Sequence, residues 1–250
     1  MQTRSGAEIV VDGDAVYKLH RPGTDPVQLA TRLRCAAESR VLLSPLSTAL
    51  EEVGDRWRTF WPRVKTIAPK PECLPWADAG ELLARLHRER SSVQLPPHGW
   101  PQRLRRAIDA LDDESDDAVR RAASTLPDAA FHAGSAERPE TVVHGDFHLG
   151  QLGQRDATAP WLLIDVDDLG IGDPAWDLAR PAGFWAAGLI PDEDWTTFVD
   201  AYRYADGLAL PPDGDPWPIL DPFARAAVVQ AAAHNPDDEL LLAACVRMTS

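Results

Sequence analysis

The segment TVVHGDFHLGQL, residues 141–152, carries the most informative pattern in this chain. His144 and His148 flank Asp146, and the other residues are mostly small or apolar. Histidines spaced four apart could hold zinc if they lay on a helix. The two glycines and the β-branched run before them favour a loop that follows a short strand. The segment therefore predicts a polar loop in which Asp146, rather than a histidine pair, is the reactive group.

A second acidic segment follows at residues 160–168, PWLLIDVDD. Asp165 ends its apolar run, and a strand end can fix a carboxylate at the edge of a cleft. Asp167 would lie on the same side if the chain stayed extended. Phosphoryl transfer needs one carboxylate to orient the attacking hydroxyl, and oxygen ligands to hold Mg²⁺ on the phosphates. We therefore assign the first role to Asp146, and the second to the set Gln151, Asp165 and Asp167.

Lys18 is a candidate for the phosphate-binding cation. It is one of only three lysines and lies in the second strand of a hairpin predicted over residues 7–19, with DGD as its turn. A helix is predicted over 26–43, with Asp25 as its N-cap, and Glu38 on that helix is the expected partner of Lys18. The alternative is an ordinary surface lysine.

The remaining pattern predicts an α+β, bilobal chain. A second hairpin around Gly54 would complete a small antiparallel sheet. Two strands, 141–143 and 160–168, would form a hairpin-like insertion among helices. The predicted division is an N-terminal nucleotide-binding lobe at 1–67, a Pro-rich hinge at 68–75 and a larger, mostly helical catalytic lobe at 76–250. Helices are predicted at 76–88, 100–112, 114–125, 174–188, 192–206, 220–233 and 236–247.

Composition excludes several classes of protein. Hydrophobic residues make up 44% of the chain and the net charge is −14, which disfavours nucleic acid as a partner. It would suit a cationic ligand, although acidic surfaces also serve solubility alone. No apolar run reaches the roughly 18 residues of a membrane span, and the first residues lack a signal-peptide core, so we expect a cytoplasmic monomer or homodimer with no membrane partner. Three widely spaced cysteines predict reduced thiols.

Taken in order, these motifs resemble the aminoglycoside phosphotransferase-like family of small-molecule kinases, which shares the protein-kinase fold. The resemblance implies ATP or GTP and Mg²⁺ as cofactors. It also implies a hydroxyl acceptor such as an aminoglycoside or other antibiotic, an amino sugar or a sugar. The wording HGDFHLGQ is similar to the maltokinase branch, which points to a sugar-like acceptor. The motifs that carry the resemblance are Lys18, Glu38, HGD at 144–146, ID at 164–165, GDP at 172–174 and DLA at 177–179.

The resemblance also implies roles for residues outside the central set. The backbone of TFWPRV, at 59–64, would meet the adenine near Trp61 and Val64. His144 would be a buried anchor of the loop. Asp173 and Asp177 would support the loop structurally, the latter in the first turn of a helix. Candidate acceptor contacts are His148 and Trp185, with plain packing as the alternative.

Two departures from the family pattern leave a second interpretation open. Gln151 stands where the family has Asn, and only seventeen residues precede Lys18. The phosphates would then have to be covered by Thr3–Gly6 or by the DGD turn. These features allow a pseudokinase that binds nucleotide without efficient catalysis. A protein kinase is disfavoured, because the short gap between Asp165 and Asp173 has no room for a peptide-binding activation segment.

Overall fold

The structure is a computed structural model that describes residues 6–67, 73–112 and 115–249. The N-terminal part contains a four-stranded antiparallel sheet in the order β1-β2-β4-β3, together with one helix. Both predicted hairpins are confirmed. The elements are β1 (Glu8–Asp12), β2 (Ala15–Leu19), α1 (Pro26–Glu38), β3 (Ser47–Val53) and β4 (Arg56–Pro62).

Helix α1 begins where the sequence predicted and ends earlier. The carboxylate of Asp25 accepts hydrogen bonds from the amides of Val27 and Gln28 at 2.8 and 3.2 Å, so the predicted N-cap is confirmed. The predicted end at residue 43 is wrong. Ser39 Oγ accepts hydrogen bonds from the amides of Val41 and Leu42, which stops the helix at Glu38 and turns the chain into an extended segment.

The C-terminal part is mainly helical. All seven helices predicted there are present, with ends within three residues of the expected positions. Helix pairs α2–α6 and α5–α7 form its centre. Within it, Trp76 packs edge-on against Phe198 with ring centroids 5.7 Å apart. The helices are α2 (Trp76–Arg88), α3 (Trp100–Asp109), α4 (Asp117–Ser124), α5 (Ala175–Ala186), α6 (Asp192–Tyr204), α7 (Trp217–His234) and α8 (Glu239–Arg247).

Two small sheets replace the predicted hairpin-like insertion. Strand β6 pairs with β9, whereas β8 pairs with β7, and β7 with β5. The predicted strand 160–168 is wrong in extent, because the backbone leaves the extended region at Asp165, where φ is +64°. The strands are β5 (Lys65–Thr66), β6 (Thr141–Val143), β7 (Leu152–Gln154), β8 (Leu162–Leu163) and β9 (Gly170–Gly172).

Backbone pairing joins the two parts of the chain. Strand β5, from the N-terminal side, pairs with β7. The amide of Leu43 donates to the carbonyl of Leu163 at 2.8 Å. Most of the predicted hinge, 68–72, lies outside the described residues. Cys35, Cys73 and Cys245 are free thiols, and no described helix is long and apolar enough to cross a membrane.

Candidate active site

A buried carboxylate at the start of α5 fixes the HGD loop. Asp177 accepts hydrogen bonds from the amides of His144 and Gly145, at 2.7 and 2.9 Å. His87 Nε2 lies 3.0 Å from the same carboxylate. Burial alone would raise the pKa of Asp177, but the bond to His87 and the loop amides lower it, so this side chain stays ionised. Gly145 adopts φ +81°, and a Cβ there would lie 2.2 Å from the carbonyl oxygen of Asp168, which explains the glycine.

The two histidines of the loop play separate roles. His144 is fully buried, and its Nε2 lies 2.8 Å from the carbonyl oxygen of Ile164, so it links the loop to the acidic segment. His148 Nδ1 instead accepts the amide of Gly150 at 3.0 Å. Burial, with Arg180 nearby, lowers the pKa of His148 to about 4, so its ring is neutral near pH 7. A zinc pair is not formed, and the described ranges contain no group of three or more His, Cys, Asp or Glu side chains placed to hold a metal.

Asp146 is held by two arginines that the sequence analysis missed. Its Oδ1 lies 2.5 Å from Arg103 Nη1 and 2.9 Å from Arg180 Nη2. Its Oδ2 accepts no hydrogen bond from a described residue. Burial would raise the pKa of Asp146, but the two guanidinium groups outweigh it and hold that pKa below its usual range. The carboxylate is therefore ionised, with one oxygen engaged and the other open.

The two arginines are positioned by a neighbouring ring. Both guanidinium carbons lie over Trp100, at 5.4 and 5.6 Å from the ring centroid. Arg103 also reaches Asp168 Oδ2 at 3.1 Å. The sequence offered one signal for this pair: Arg180 follows Asp177 by three residues, and residues so spaced share a helix face. Nothing local marks Arg103, because α3 approaches the loop only through the tertiary fold.

Lys18 lies between the two acidic side chains that follow β8. Its Nζ is 2.7 Å from Asp165 Oδ1 and 2.9 Å from Asp167 Oδ2. Burial would lower the pKa of Lys18, but the two carboxylates raise it well above its usual value. His20 Nδ1 lies 3.3 Å from Asp167 Oδ1 and completes the cluster. A lysine from the N-terminal sheet is thus buried against the predicted metal ligands.

The predicted partner of Lys18 is wrong. Glu38 is exposed at the last position of α1, and its carboxylate accepts a hydrogen bond from Ser92 Oγ at 2.5 Å. The charged side chain that α1 directs toward the acidic segment is Arg32, whose Nε donates to the carbonyl of Leu169 at 2.8 Å. Glu38 is therefore engaged with Ser92, and Lys18 pairs with the acidic segment instead.

Gln151 lies beside the acidic segment. It is the last residue of a single 3₁₀ turn and is 8% exposed. Its backbone carbonyl accepts a hydrogen bond from the backbone amide of Ile164 at 2.9 Å. Its side chain makes no hydrogen bond with a described residue, which leaves an amide oxygen available. Together with Asp165 and Asp167, it provides the oxygen donors that Mg²⁺ prefers, and Mg²⁺ normally takes only one or two protein carboxylates besides phosphate oxygens. The residues present therefore fit the ion.

The segment expected to meet the adenine lies where β4 leads into β5. Trp61 is buried, and its indole N–H donates to Thr59 Oγ1 at 2.9 Å. Val64 packs on Gly153, where an added Cβ would lie 2.6 Å from Val64 Cγ2 and 3.0 Å from the side chain of Ile164. Val64 and Ile164, the residue that precedes Asp165, therefore pack on the same glycine.

The contacts of Asp173 and Trp185, the remaining predicted residues, are structural. Asp173 is buried, receives Arg138 Nη2 at 2.7 Å and accepts the amide of Ala175 at 2.9 Å. Trp185 stacks on Trp195 with centroids 5.2 Å apart, and no described contact joins it to the HGD loop.

Two further features describe the surroundings of the site. The DGD turn is tied to the end of β4, because the amide of Arg63 donates to the carbonyl of Asp14 at 2.7 Å. The register places Ile9 of β1 opposite Lys18, and Thr3–Ser5 lie outside the described residues. A cavity of about 1040 Å³, lined by residues such as Ser91, His132 and Thr141, lies elsewhere and includes none of the predicted site residues.

Comparison with known proteins supports a single family. The profile of APH, the phosphotransferase enzyme family, matches residues 74–220. A search of curated proteins gave no match. A choline/ethanolamine kinase family protein from Mesorhizobium loti superposes with a TM-score of 0.63 at 16% identity, over 100% of this chain and 87% of that one.

Two antibiotic phosphotransferases have the same fold. The aminoglycoside phosphotransferase APH(3'')-Id from Streptomyces rimosus, in complex with ADP and streptomycin, gives a TM-score of 0.59 at 18% identity, over 89% of this chain and 94% of that one. Spectinomycin phosphotransferase APH(9)-Ia, in complex with ADP and spectinomycin, gives 0.56 at 14% identity, over 97% and 88%. At such identities the likeness establishes the protein-kinase-like α+β fold.

Proposed function

This chain belongs to the APH phosphotransferase enzyme family, and on that premise we propose that it transfers the γ-phosphoryl group of ATP or GTP, with Mg²⁺, to a hydroxyl of a small molecule. The observation that carries the proposal is the convergence of Lys18 with Asp165 and Asp167 beside the loop that contains Asp146. ADP in the two antibiotic phosphotransferases of the same fold supports nucleotide use. In this reading, residues 1–67 form the nucleotide-binding lobe, 68–75 the hinge and 76–250 the catalytic lobe.

Asp146 would orient the acceptor. Its open Oδ2 can accept a hydrogen bond from the acceptor hydroxyl, while Arg103 and Arg180 keep Oδ1 in place. A carboxylate with a lowered pKa is a weak base, so proton transfer to it would come late, which suits a loose phosphoryl-transfer transition state. The hydroxyl oxygen bonds to the γ-phosphorus as the bond to the bridging oxygen breaks, and its proton passes to Asp146.

The nucleotide would be held by Lys18, Asp165 and Asp167, which in this structure pair with one another. Gln151, Asp165 and Asp167 would hold Mg²⁺, which neutralises charge on the phosphate oxygens. Lys18 would turn from the carboxylates to the α- and β-phosphates. The buried His144 and Asp177 keep the loop rigid throughout.

The inactive alternative has a specific observation in its favour. Lys18 is buried and already pairs with both candidate metal carboxylates, a contact that a pseudokinase would keep for structure alone. A nucleotide-binding pseudokinase would then show binding without transfer.

One experiment separates the two. Thermal shift with ATP, with and without Mg²⁺, measures binding, and release of ADP against a panel of aminoglycosides, sugars and amino sugars measures transfer. Asp146→Asn should keep the Mg²⁺-dependent shift and lower kcat by about 10²- to 10⁴-fold, and Lys18→Met should weaken nucleotide binding. The exposed Lys65→Met and Asp213→Asn serve as matched controls. Full transfer by Asp146→Asn, or no nucleotide shift in the parent, would contradict the proposal.

A further inference from the structure

The surroundings of Asp146 offer hydrogen-bond donors rather than acceptors. A guanidinium group has five N–H donors. Arg180 makes one hydrogen bond among the described residues, to Asp146 Oδ1, and its side chain is 14% exposed. Its other N–H groups are therefore available to a ligand that approaches Asp146.

The nearby carboxylates are already paired. Asp146 Oδ1 is shared by two guanidinium groups, and Asp168 Oδ2 is bound by Arg103. An ammonium group on the acceptor could approach the open Oδ2 of Asp146, but the same carboxylate already carries two guanidinium groups, so it would meet two positive charges there. His148, held neutral by burial, adds no charge of either sign. This arrangement opposes a polycationic acceptor.

The Trp100 ring holds the guanidinium groups of Arg103 and Arg180 in place. Both guanidinium groups lie over its fully buried ring, so their positions do not depend on Asp146 alone. They would remain aligned when the acceptor hydroxyl engages Oδ2. Planar guanidinium groups held in this way match the two oxygens of a carboxylate or phosphate.

We propose that the acceptor is an anionic hydroxy compound, whose carboxylate or phosphate group is bound by Arg180 together with Arg103 while its hydroxyl is held by Asp146 Oδ2. The inference rests on the proposed phosphotransferase function and names the substrate class for that same site. It replaces the cationic acceptor that the overall negative charge suggested. The anionic group lies within a few bonds of the hydroxyl, because the arginines touch the other oxygen of the same carboxylate.

The test compares probes that share a skeleton and differ in charge. Glycerate, glycerol phosphate, glycerol and serinol are titrated into the enzyme with saturating Mg-ADP, and binding is followed by thermal shift and calorimetry. We expect glycerate or glycerol phosphate to bind, glycerol weakly, and serinol not at all. The first two probes distinguish a carboxylate from a phosphate. Gluconate, glucose and glucosamine repeat the comparison on a longer skeleton, with ADP release from Mg-ATP as a second readout.

Variants connect the preference to the arginines. Arg180→Gln should lower affinity for the anionic probe about tenfold or more relative to glycerol, and Arg180→Lys should recover part of it. Arg105→Gln is the matched control, because that residue lies on α3 with Arg103 but donates to the carbonyl of Phe131. Equal or stronger binding of serinol, no binding of any anionic probe to the Mg-ADP complex, or an unchanged preference in Arg180→Gln would overturn the inference. Failure of Mg-ADP itself to bind would instead contradict the phosphotransferase proposal.

Discussion

The two carboxylate oxygens of Asp146 have different roles at this site. One carboxylate oxygen is saturated by two guanidinium groups and the other is open. The arginines lower the basicity of Asp146 and fix its orientation at once. A residue arranged in this way is suited to position a hydroxyl rather than to remove its proton early.

Gln151 gives the most direct test of the metal site. If its amide oxygen binds Mg²⁺, Gln151→Ala should raise the Mg²⁺ concentration needed for half-maximal ADP release about tenfold, because one ligand is lost. Gln151→Asn should stay near the parent value, since it keeps the amide on an arm one methylene shorter. Activity is measured across a Mg²⁺ titration at saturating ATP.

Gln154→Ala provides the control for this titration. Gln154 lies three residues further on, and its side-chain amide is already engaged, since it donates to the carbonyl of Ala159 at 2.8 Å. Its variant should leave the Mg²⁺ requirement unchanged. If Gln151→Ala matches the parent, the amide is not a ligand.

Individual site residues differed in how well the sequence predicted them. The structure brings Lys18, Asp165 and Asp167 together, as their order along the chain suggested. The pairing of Glu38 could not be predicted, because the partner of a helix side chain depends on tertiary packing, which here brings Ser92 to Glu38 and the acidic segment to Lys18. Arg103 could not be foreseen, because only packing of α3 against the loop brings it to Asp146.

At the scale of elements, long amphipathic helices were predictable and short strands were not. A helix such as α2 (Trp76–Arg88) shows its buried face in its own sequence. The two-residue strands β5 and β8 form only through distant partners, and the bend at Asp165 that ends the extended segment has no local signal. The predicted hairpin-like insertion was therefore wrong, while the helical order was confirmed.

The contact between α2 and α6 depends on Gly80. A Cβ at this position would lie 2.3 Å from the carbonyl oxygen of Phe198 and 2.9 Å from the amide nitrogen of Tyr202. Gly80→Ala should therefore destabilise the protein by about 1–3 kcal/mol through overpacking, although alanine favours a helix by about 1 kcal/mol. Tyr202 OH lies 2.8 Å from His87 Nδ1, so separating the helices should also lower kcat.

Urea unfolding and ADP release measure these two effects of Gly80→Ala. The control is Ala77→Gly on the exposed side of the same helix. It should cost about 1 kcal/mol by propensity alone and leave kcat unchanged. A stabilising Gly80→Ala would mean that α6 can move away freely.

Across the whole molecule, the net charge of −14 and the arginines at Asp146 act over different distances. The surface field weakens within about 8 Å at physiological ionic strength, whereas the buried ion pairs are screened much less. Composition could therefore suggest a cationic ligand while the site itself presents donors. Such a conflict can be resolved only once the fold shows which charges are already paired.

Global stability should depend on pH through a buried histidine that has no role in the proposed reaction. His98 is 2% exposed, its Nε2 lies 3.1 Å from the carbonyl oxygen of Ala133, and burial lowers its pKa to about 4. The unfolded chain binds a proton near pH 6.5 that the native protein does not, so stability should fall as pH drops from about 6.5 to about 4. The loss from this residue should reach about 2 kcal/mol between pH 7 and pH 5. Carboxylates with lowered pKa values, such as Asp177, reduce the stability only below about pH 4. The pH range in which they act is therefore separate from that of His98.

Urea unfolding at several pH values tests this origin of the slope. His98→Gln should be less stable at pH 7, because a packed ring is lost, yet its stability should change less between pH 7 and pH 5 than that of the parent. His132→Gln removes an exposed ring and should keep the parental slope. His148, whose pKa is also lowered to about 4, should supply the slope that remains in His98→Gln. If the free energy of unfolding falls equally with pH in the parent and in His98→Gln, other groups cause the acid sensitivity. If it falls less in His98→Gln, the stability of the helical lobe depends on keeping this ring uncharged.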